Sequence, residues 1–285
     1  MESKMNNQNL EAPLFVLQMT IDLHKALALA VSWAKEAGEL QRASFRSGRL
    51  QMDTKSSMAD VVTQVDRACE ALLLERITAS FPEHSVLGEE SGSHGVSGEY
   101  QWVVDPLDGT NNYSQGLPVF CVSIGLKYRG VTQLGVVYAP YLDELFTAIR
   151  GEGAFLNGAP LRVSVKHELN RCVLGTGFPY DKHIHPVNNI DNLSRILPKL
   201  RGMRRMGAAA YDLCCVAAGF LDGYWELGLQ EWDVCAGILI VEEAGGIIRP
   251  FRDDRGIAIM AGSLLIVEKM GEYILTPEGC EKNEK

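Results

Sequence analysis

Apolar positions in the first third of the chain repeat with helical spacing. Between residues 21 and 45, Leu23, Ala26, Leu27, Ala30, Val31, Ala34 and Leu40 recur at three- and four-residue steps, which predicts a helix. A second helix is predicted from Thr63 to Phe81, where Pro82 stops it. Thr63 followed by Asp66 resembles a capping box with Asp in place of Glu, so Asp66 falls in the first helical turn. The period then shortens to two. β-rich runs over 100–105, 119–126, 131–138 and 145–149 read as strands, with a tight reversal at Tyr128-Arg129-Gly130 and a turn at Asn157-Gly158. Beyond Leu161, strands and helices alternate. Strands are predicted at 173–176, near Met203, at 223–227 and at Ile247 and Ile257; helices cover 188–197, 207–218, 231–243 and 264–274.

No repeat or low-complexity linker interrupts this pattern. Residues 21–160 read as an α+β lobe and 161–275 as an α/β lobe packed closely against it, with 1–20 and 276–285 as flexible extensions. The first twenty residues lack the basic-then-apolar order of a secretion signal, and no apolar run reaches the roughly 18–20 residues a membrane span needs. The net charge of −9 argues against nucleic acid as a partner, because non-specific binding needs a basic footprint. Seven cysteines without a C-x-x-C pair read as buried free thiols in a reducing cytosol, and the expected setting is cytoplasmic.

Candidate chemistry lies in the acids. In Trp102-Val103-Val104-Asp105-Pro106-Leu107-Asp108-Gly109-Thr110, an apolar strand delivers Asp105 to its end, and a turn through Pro106 and Gly109 carries Asp108. Two carboxylates so spaced can converge on one cation, joined by the Leu107 carbonyl. Thr110 then opens a short helix whose Gly109 and Thr110 N–H groups can hold a phosphate. Magnesium takes hard oxygen ligands of this kind. The plain alternative is a turn with solvated acids. Likewise Gly88-Glu89-Glu90 ends a short strand and could be exposed charge, and Asp233 in Glu231-Trp232-Asp233 could be a helix cap. Three acidic groups at strand ends and helix starts favour convergence, since like charges gather only where a cation neutralises them.

These residues resemble the inositol monophosphatase family of lithium-sensitive, magnesium-dependent phosphatases. Trp102 to Thr110 with Asn112 and Tyr113 matches its first signature. Trp232-Asp233 through Glu243-Ala244-Gly245-Gly246 matches the second, with Cys235 in a usually small position. Gly88-Glu89-Glu90, and Lys55, Asp60, Val62, Thr63 and Asp66, match two further motifs. The resemblance implies a layered α-β-α-β-α sandwich, a mix of α+β and α/β, and a homodimer. It implies two or three Mg2+ ions. Glu89, Asp105 and the Leu107 carbonyl would hold the first, and Asp105, Asp108 and Asp233 the second, with Glu89 and Asp66 helping at a weaker third. Thr110 with Asp66 would activate the attacking water, and Gly109 and Thr110 would hold the phosphate. Ala209 and Glu226 would touch substrate hydroxyls.

The implied substrate is inositol monophosphate or a similar polyol or sugar phosphate. Histidinol phosphate, fructose 1,6-bisphosphate and 3′-phosphoadenosine 5′-phosphate are alternatives, and Gln230-Glu231 before Trp232 departs from the inositol-specific pattern. A non-catalytic binding or regulatory module on the same fold is the alternative from another class. His183 and His185 read as loop histidines, and Arg201, Arg204 and Arg205 as a basic patch or as partners of a phosphate or subunit. Ser91 to Gly98 reads as a flap beside Glu89.

Overall fold

The computed structural model describes residues 21–48, 50–54 and 61–274. The expectations for residues 1–20 and 276–285, and those for Lys55, Asp60 and Cys280, lie outside the described residues. Helix α1 (Leu23–Ser44) starts where the Asp22 side chain accepts a hydrogen bond from the Lys25 N–H at 3.1 Å. Its buried face is made of small side chains, Ala26, Ala30, Ala34, Ala37 and Gly38, together with Trp33 and Gln41. Ala26, Ala30 and Ala34 of the expected stripe lie on this face, but its larger members do not: Leu27 and Val31 sit at its edge and Leu40 is exposed. Small residues let the helix backbone approach the sheet closely, and a Cβ on Gly38 would stand 2.6 Å from the Tyr138 ring.

A ribbon of β1 (Met52–Thr54) and β2 (Val61–Thr63), absent from the expected elements, leads into α2 (Gln64–Ser80). The capping box of α2 forms as predicted, with Thr63 and Asp66 satisfying each other's backbone. Next come β3 (Ser85–Gly88), β4 (Gly92–His94), β5 (Tyr100–Asp108), α3 (Thr110–Ser114), β6 (Cys121–Tyr128), β7 (Val131–Ala139), β8 (Glu144–Ile149), β9 (Gly153–Leu156) and β10 (Ala159–Pro160). These strands form one eight-stranded sheet in the order β10-β9-β8-β7-β6-β5-β3-β4, antiparallel except for β3 beside β5. The expected flap at 91–98 contains β4, which pairs with β3 from Val86–His94 to Gly88–Gly92. A glycine-rich composition hid this edge strand.

The second half supplies β11 (Val173–Thr176), α4 (Ile190–Ile196), β12 (Gly202–Arg204), α5 (Ala209–Ala217), β13 (Gly223–Leu229), α6 (Glu231–Glu243), β14 (Ile247–Arg252), β15 (Ile257–Gly262) and α7 (Leu264–Gly271). Its five strands are ordered β12-β11-β13-β15-β14. Helices α1 and α2 cover the outer face of the large sheet, burying Trp33, Leu73 and Ile77 against Trp102, Ile124 and Val136. Helices α5 and α6 fill the space between the sheets, where Leu213, Val216, Leu239 and Ile240 meet Val137, Phe146, Tyr224 and Ile259. Helices α4 and α7 cover the far face of the small sheet through Ile196, Ile266, Val267 and Met270. The result is the α-β-α-β-α sandwich. Both helices of the middle layer are apolar on nearly all sides, as burial between two sheets requires.

Candidate active site

Strand pairing brings the first two acids together. β3 and β5 run parallel with Gly88 opposite Val104, so the next residues, Glu89 and Asp105, emerge side by side at the same sheet edge. Their carboxyl groups share a hydrogen bond. β5 does not end at Asp105, as the sequence suggested, but continues to Asp108. Its ladder with β6 jumps from Asp105–Ser123 to Asp108–Cys121, so three steps on β5 oppose two on β6. This bulge is where Pro106, which has no N–H to donate, is tolerated. The Pro106 carbonyl is gripped by Gln41 Nε2 at 2.8 Å, and the Tyr113 hydroxyl donates to the Gln41 carbonyl at 2.6 Å. Gln41 went unnoticed in the sequence, although a polar residue on the small-residue stripe of α1 was a readable signal.

Within the bulge, Asp105 Oδ1 accepts the Leu107 N–H at 3.0 Å. The reversal follows at Gly109, with φ of 93°. A Cβ there would meet the Val119 carbonyl oxygen at 2.8 Å and the Ala208 Cβ at 3.2 Å. Gly109→Ala is therefore expected to destabilise the fold by about 2–4 kcal/mol, from positive φ and backbone collision together. Thermal unfolding checks it, and an unchanged midpoint would contradict the geometry.

Thr110 and Asp66 meet as expected. Thr110 Oγ1 lies 2.9 Å from Asp66 Oδ1 and 3.0 Å from the Leu107 carbonyl oxygen, and its single proton serves one or the other. Asp66 Oδ2 accepts the Thr63 N–H at 2.9 Å and the Thr63 hydroxyl. Burial raises the Asp66 carboxyl above its ordinary range, and the bonds from Thr63 and Thr110 oppose that rise.

Asp108 faces the N-terminus of α5. Its two oxygens accept the N–H groups of Ala209 at 3.2 Å and Ala210 at 2.7 Å, and the Cys121 thiol lies 3.6 Å away. The carboxyl is pushed up to about 6 by burial, against the pull of these donors. Asp233 both caps its helix and lines the cavity: its Oδ2 accepts the Gln230 N–H at 2.7 Å while the residue stands on the cavity wall. Burial and the neighbouring Asp108, Glu89 and Glu226 push it well above the carboxylate range. Asp105 is raised likewise by burial and by Glu89, Asp108 and Asp233.

The cavity itself, ≈ 370 Å³, is lined by Glu89, Asp108, Ala209, Glu226 and Asp233, with Arg205 as the one basic side chain on its wall among the described residues. Glu226 is bonded by the Tyr224 hydroxyl and is pushed up to about 7 by burial, with Arg205 opposing. Asp212, which sequence reasoning missed, lies buried nearby under the field of Glu226 and Asp108. Of the other candidates, His183 is exposed and His185 Nδ1 accepts the Val187 N–H, so neither approaches the cavity wall. Arg201 and Arg204 are exposed, and Glu231 pairs with Lys127 of β6, which accounts for its place before Trp232.

Among the described residues, no three His, Cys, Asp or Glu side chains stand gathered as a finished ligand shell. The donor set nevertheless fits a hard divalent cation. Glu89, Asp105, Asp108 and Asp233 offer only oxygen, and each raises the pKa of a neighbour, the signature of charge awaiting neutralisation.

Comparison with known proteins decides the family. The model of the inositol monophosphatase family matches residues 22–281. The chain belongs to the inositol monophosphatase family. Within that family it is 40% identical over 253 residues to the Nus factor SuhB of Escherichia coli strain K12, covering 87% of this chain and 95% of the relative. Among solved structures, the extragenic suppressor protein suhB of Bartonella henselae superposes with a TM-score of 0.81 at 37% identity, covering 87% of this chain and 98% of its own. The inositol monophosphatase of Anabaena gives 0.77 at 39%, covering 90% and 98%. No helix among the described residues is long and apolar enough to cross a membrane.

Proposed function

We propose that the protein is a magnesium-dependent phosphomonoesterase acting on inositol monophosphate or a similar small polyol phosphate. One observation carries this reading: the adjacent placement of Glu89 and Asp105 beside the Thr110–Asp66 pair, with Asp108 and Asp233 across the same cavity. In this reading Glu89, Asp105 and the Leu107 carbonyl would hold one ion, and Asp105, Asp108 and Asp233 would hold another. Magnesium, when bound, supplies Lewis-acid charge for the phosphate oxygens and the leaving alkoxide.

The chain's own residues do the rest. Thr110 Oγ1 has its only proton committed to Asp66 or Leu107, so towards a water it can act only as acceptor. It thereby turns the water's lone pair to phosphorus, and Glu89 accepts the second water hydrogen. Attack forms one P–O bond in line as the ester P–O bond breaks; the attacking water gives up one proton towards Glu89, and the departing alkoxide takes up one proton in exchange, so the products are the alcohol and phosphate. The N–H groups of Gly109 and Thr110 hold the phosphate, and Ala209 and Glu226 face the leaving group. An ammonium or hydroxyl donor suits Glu226 better than a second phosphate does. That ranks polyol phosphates and histidinol phosphate above fructose 1,6-bisphosphate and 3′-phosphoadenosine 5′-phosphate.

The six described cysteines are all buried and unpaired, which supports a reducing, cytoplasmic setting. A second reading, a binding role on the same scaffold, is favoured by the name Nus factor carried by its relatives. That name also leaves the expectation of no nucleic-acid partner without support. The intact acids favour catalysis. The experiment is phosphate release by the purified chain from a panel of monoesters with and without Mg2+. Magnesium-dependent turnover, fastest on a polyol phosphate and inhibited by lithium at tens of millimolar, is expected. Silence on every monoester would leave the binding role.

A further inference from the structure

Helix α2 contributes a second buried acid that neither the signatures nor the mechanism uses. Glu70 lies one turn beyond Asp66 on the same buried face and is 2% exposed. Its carboxylate is directed at the loop that carries Glu89. The Glu90 N–H donates to Glu70 Oε2 at 2.8 Å, and the Ser91 hydroxyl donates to Oε1. Ser91 Oγ is itself 2.6 Å from His94 Nε2 on β4. On the other side of Glu89, the carboxylate packs flat against Gly88, where a Cβ would come within 2.8 Å of its Cδ and Oε2. Glu70 therefore bonds the chain just after Glu89 and packs against the glycine just before it. A buried carboxylate is costly unless its oxygens are satisfied, and here the satisfying donors belong to that loop.

We propose that Glu70 is a positioning residue that holds the 88–91 loop so that Glu89 stands against Asp105. The proposal rests on the metal-dependent phosphatase reading. α2 then indexes both halves of the site, presenting Asp66 to Thr110 and Glu70 to the Glu89 loop, so that one rigid element sets their spacing. Glycine at position 88 follows from the same contact, since any side chain there would displace the carboxylate.

The alternative is that Glu70 merely knits α2 to the sheet, in which case its loss would lower stability without touching ion affinity. Mn2+ binding to the full chain, followed by electron paramagnetic resonance without substrate, separates the two. Glu70→Ala is expected to weaken Mn2+ binding about 10-fold or more, the usual scale for losing a group that orients a ligand. The Mg2+ concentration for half-maximal phosphate release should rise by the same factor, with KM at saturating Mg2+ unchanged. Glu70→Gln keeps an acceptor for the Glu90 N–H and gains a donor towards Ser91, so it should return to within roughly 3-fold of wild type. Should Glu70→Ala fail to fold, Ser91→Ala, which removes one of the two hydrogen bonds, should show a smaller loss of Mn2+ affinity. Wild-type Mn2+ affinity in a folded Glu70→Ala, or in Ser91→Ala if that stands in for it, would overturn the proposal, as would Glu70→Gln binding no better than Glu70→Ala. A wild-type chain that binds Mn2+ but hydrolyses no monoester would defeat the phosphatase reading alone, and the Mn2+ comparison would still decide Glu70.

Discussion

Replacing Asp105 with asparagine is expected to lower phosphate release by roughly 10³-fold or more, the scale of removing a group that stabilises transition-state charge. The fold should survive, because the amide oxygen can still accept the Leu107 N–H that Asp105 Oδ1 accepts. Without metal the variant should even be more stable than wild type. Asp105 is 2% exposed and surrounded by Glu89, Asp108 and Asp233, so its charge is a cost that the neutral amide removes. The paired measurement is phosphate release and thermal unfolding in the presence of a chelator. A well-folded Asp105→Asn variant with near-normal turnover would remove Asp105 from the centre of the site.

The second large effect concerns pH and metal together. Asp105, Asp108, Asp233 and Glu226 all have folded-state pKa values above their ordinary ones, because burial and mutual repulsion disfavour their charge. The folded, metal-free protein therefore holds more protons than the unfolded chain. The stability this confers is fully present below the unfolded values near 4 and is lost as pH rises through the folded ones, about 6 for Asp108 and about 7 for Glu226. Asp108 alone accounts for on the order of 3 kcal/mol. The Arg-paired Asp181 and Asp254 are shifted the other way and are already ionised above pH 5, so they leave this window flat. With EDTA present, the unfolding midpoint should fall by roughly 10 °C between pH 5 and pH 8. Saturating Mg2+ at pH 8 should restore much of it, since a ligand at a hundred times its Kd adds about 2.7 kcal/mol. A midpoint indifferent to both pH and Mg2+ would mean that these carboxylates do not share one field.

Much of this site was readable before any fold was known, and for local reasons. Thr63 and Asp66 form a capping box because both partners lie within one turn, and Asp233 caps α6 on the same principle. Strand ends and turn residues around Asp105, Gly109 and Gly88 announced where acids would emerge. The bulge that carries β5 on to Asp108 did not announce itself, because it depends on the register against β6 and on the grip of Gln41 from another helix. Helix α1 shows the same limit, since its predicted stripe held the buried Ala26, Ala30 and Ala34 but also Leu27, Val31 and Leu40, which the structure leaves at the edge or exposed. Close approach to the sheet selected the small ones.

The sequence by itself determined which side chains are acidic, where each stands at the end or start of an element, and which family they belong to. These follow from periodicity, capping and turn chemistry, all confined to a few neighbouring residues. Only the tertiary structure decided that Asp108 would face the N–H groups of Ala209 and Ala210, that Glu70 would accept the Glu90 N–H, and that Arg205 would stand on the cavity wall. Those contacts join residues far apart in the chain. Their energies depend on burial and on the field of the other acids, which exist only once the sheets and helices have closed around them.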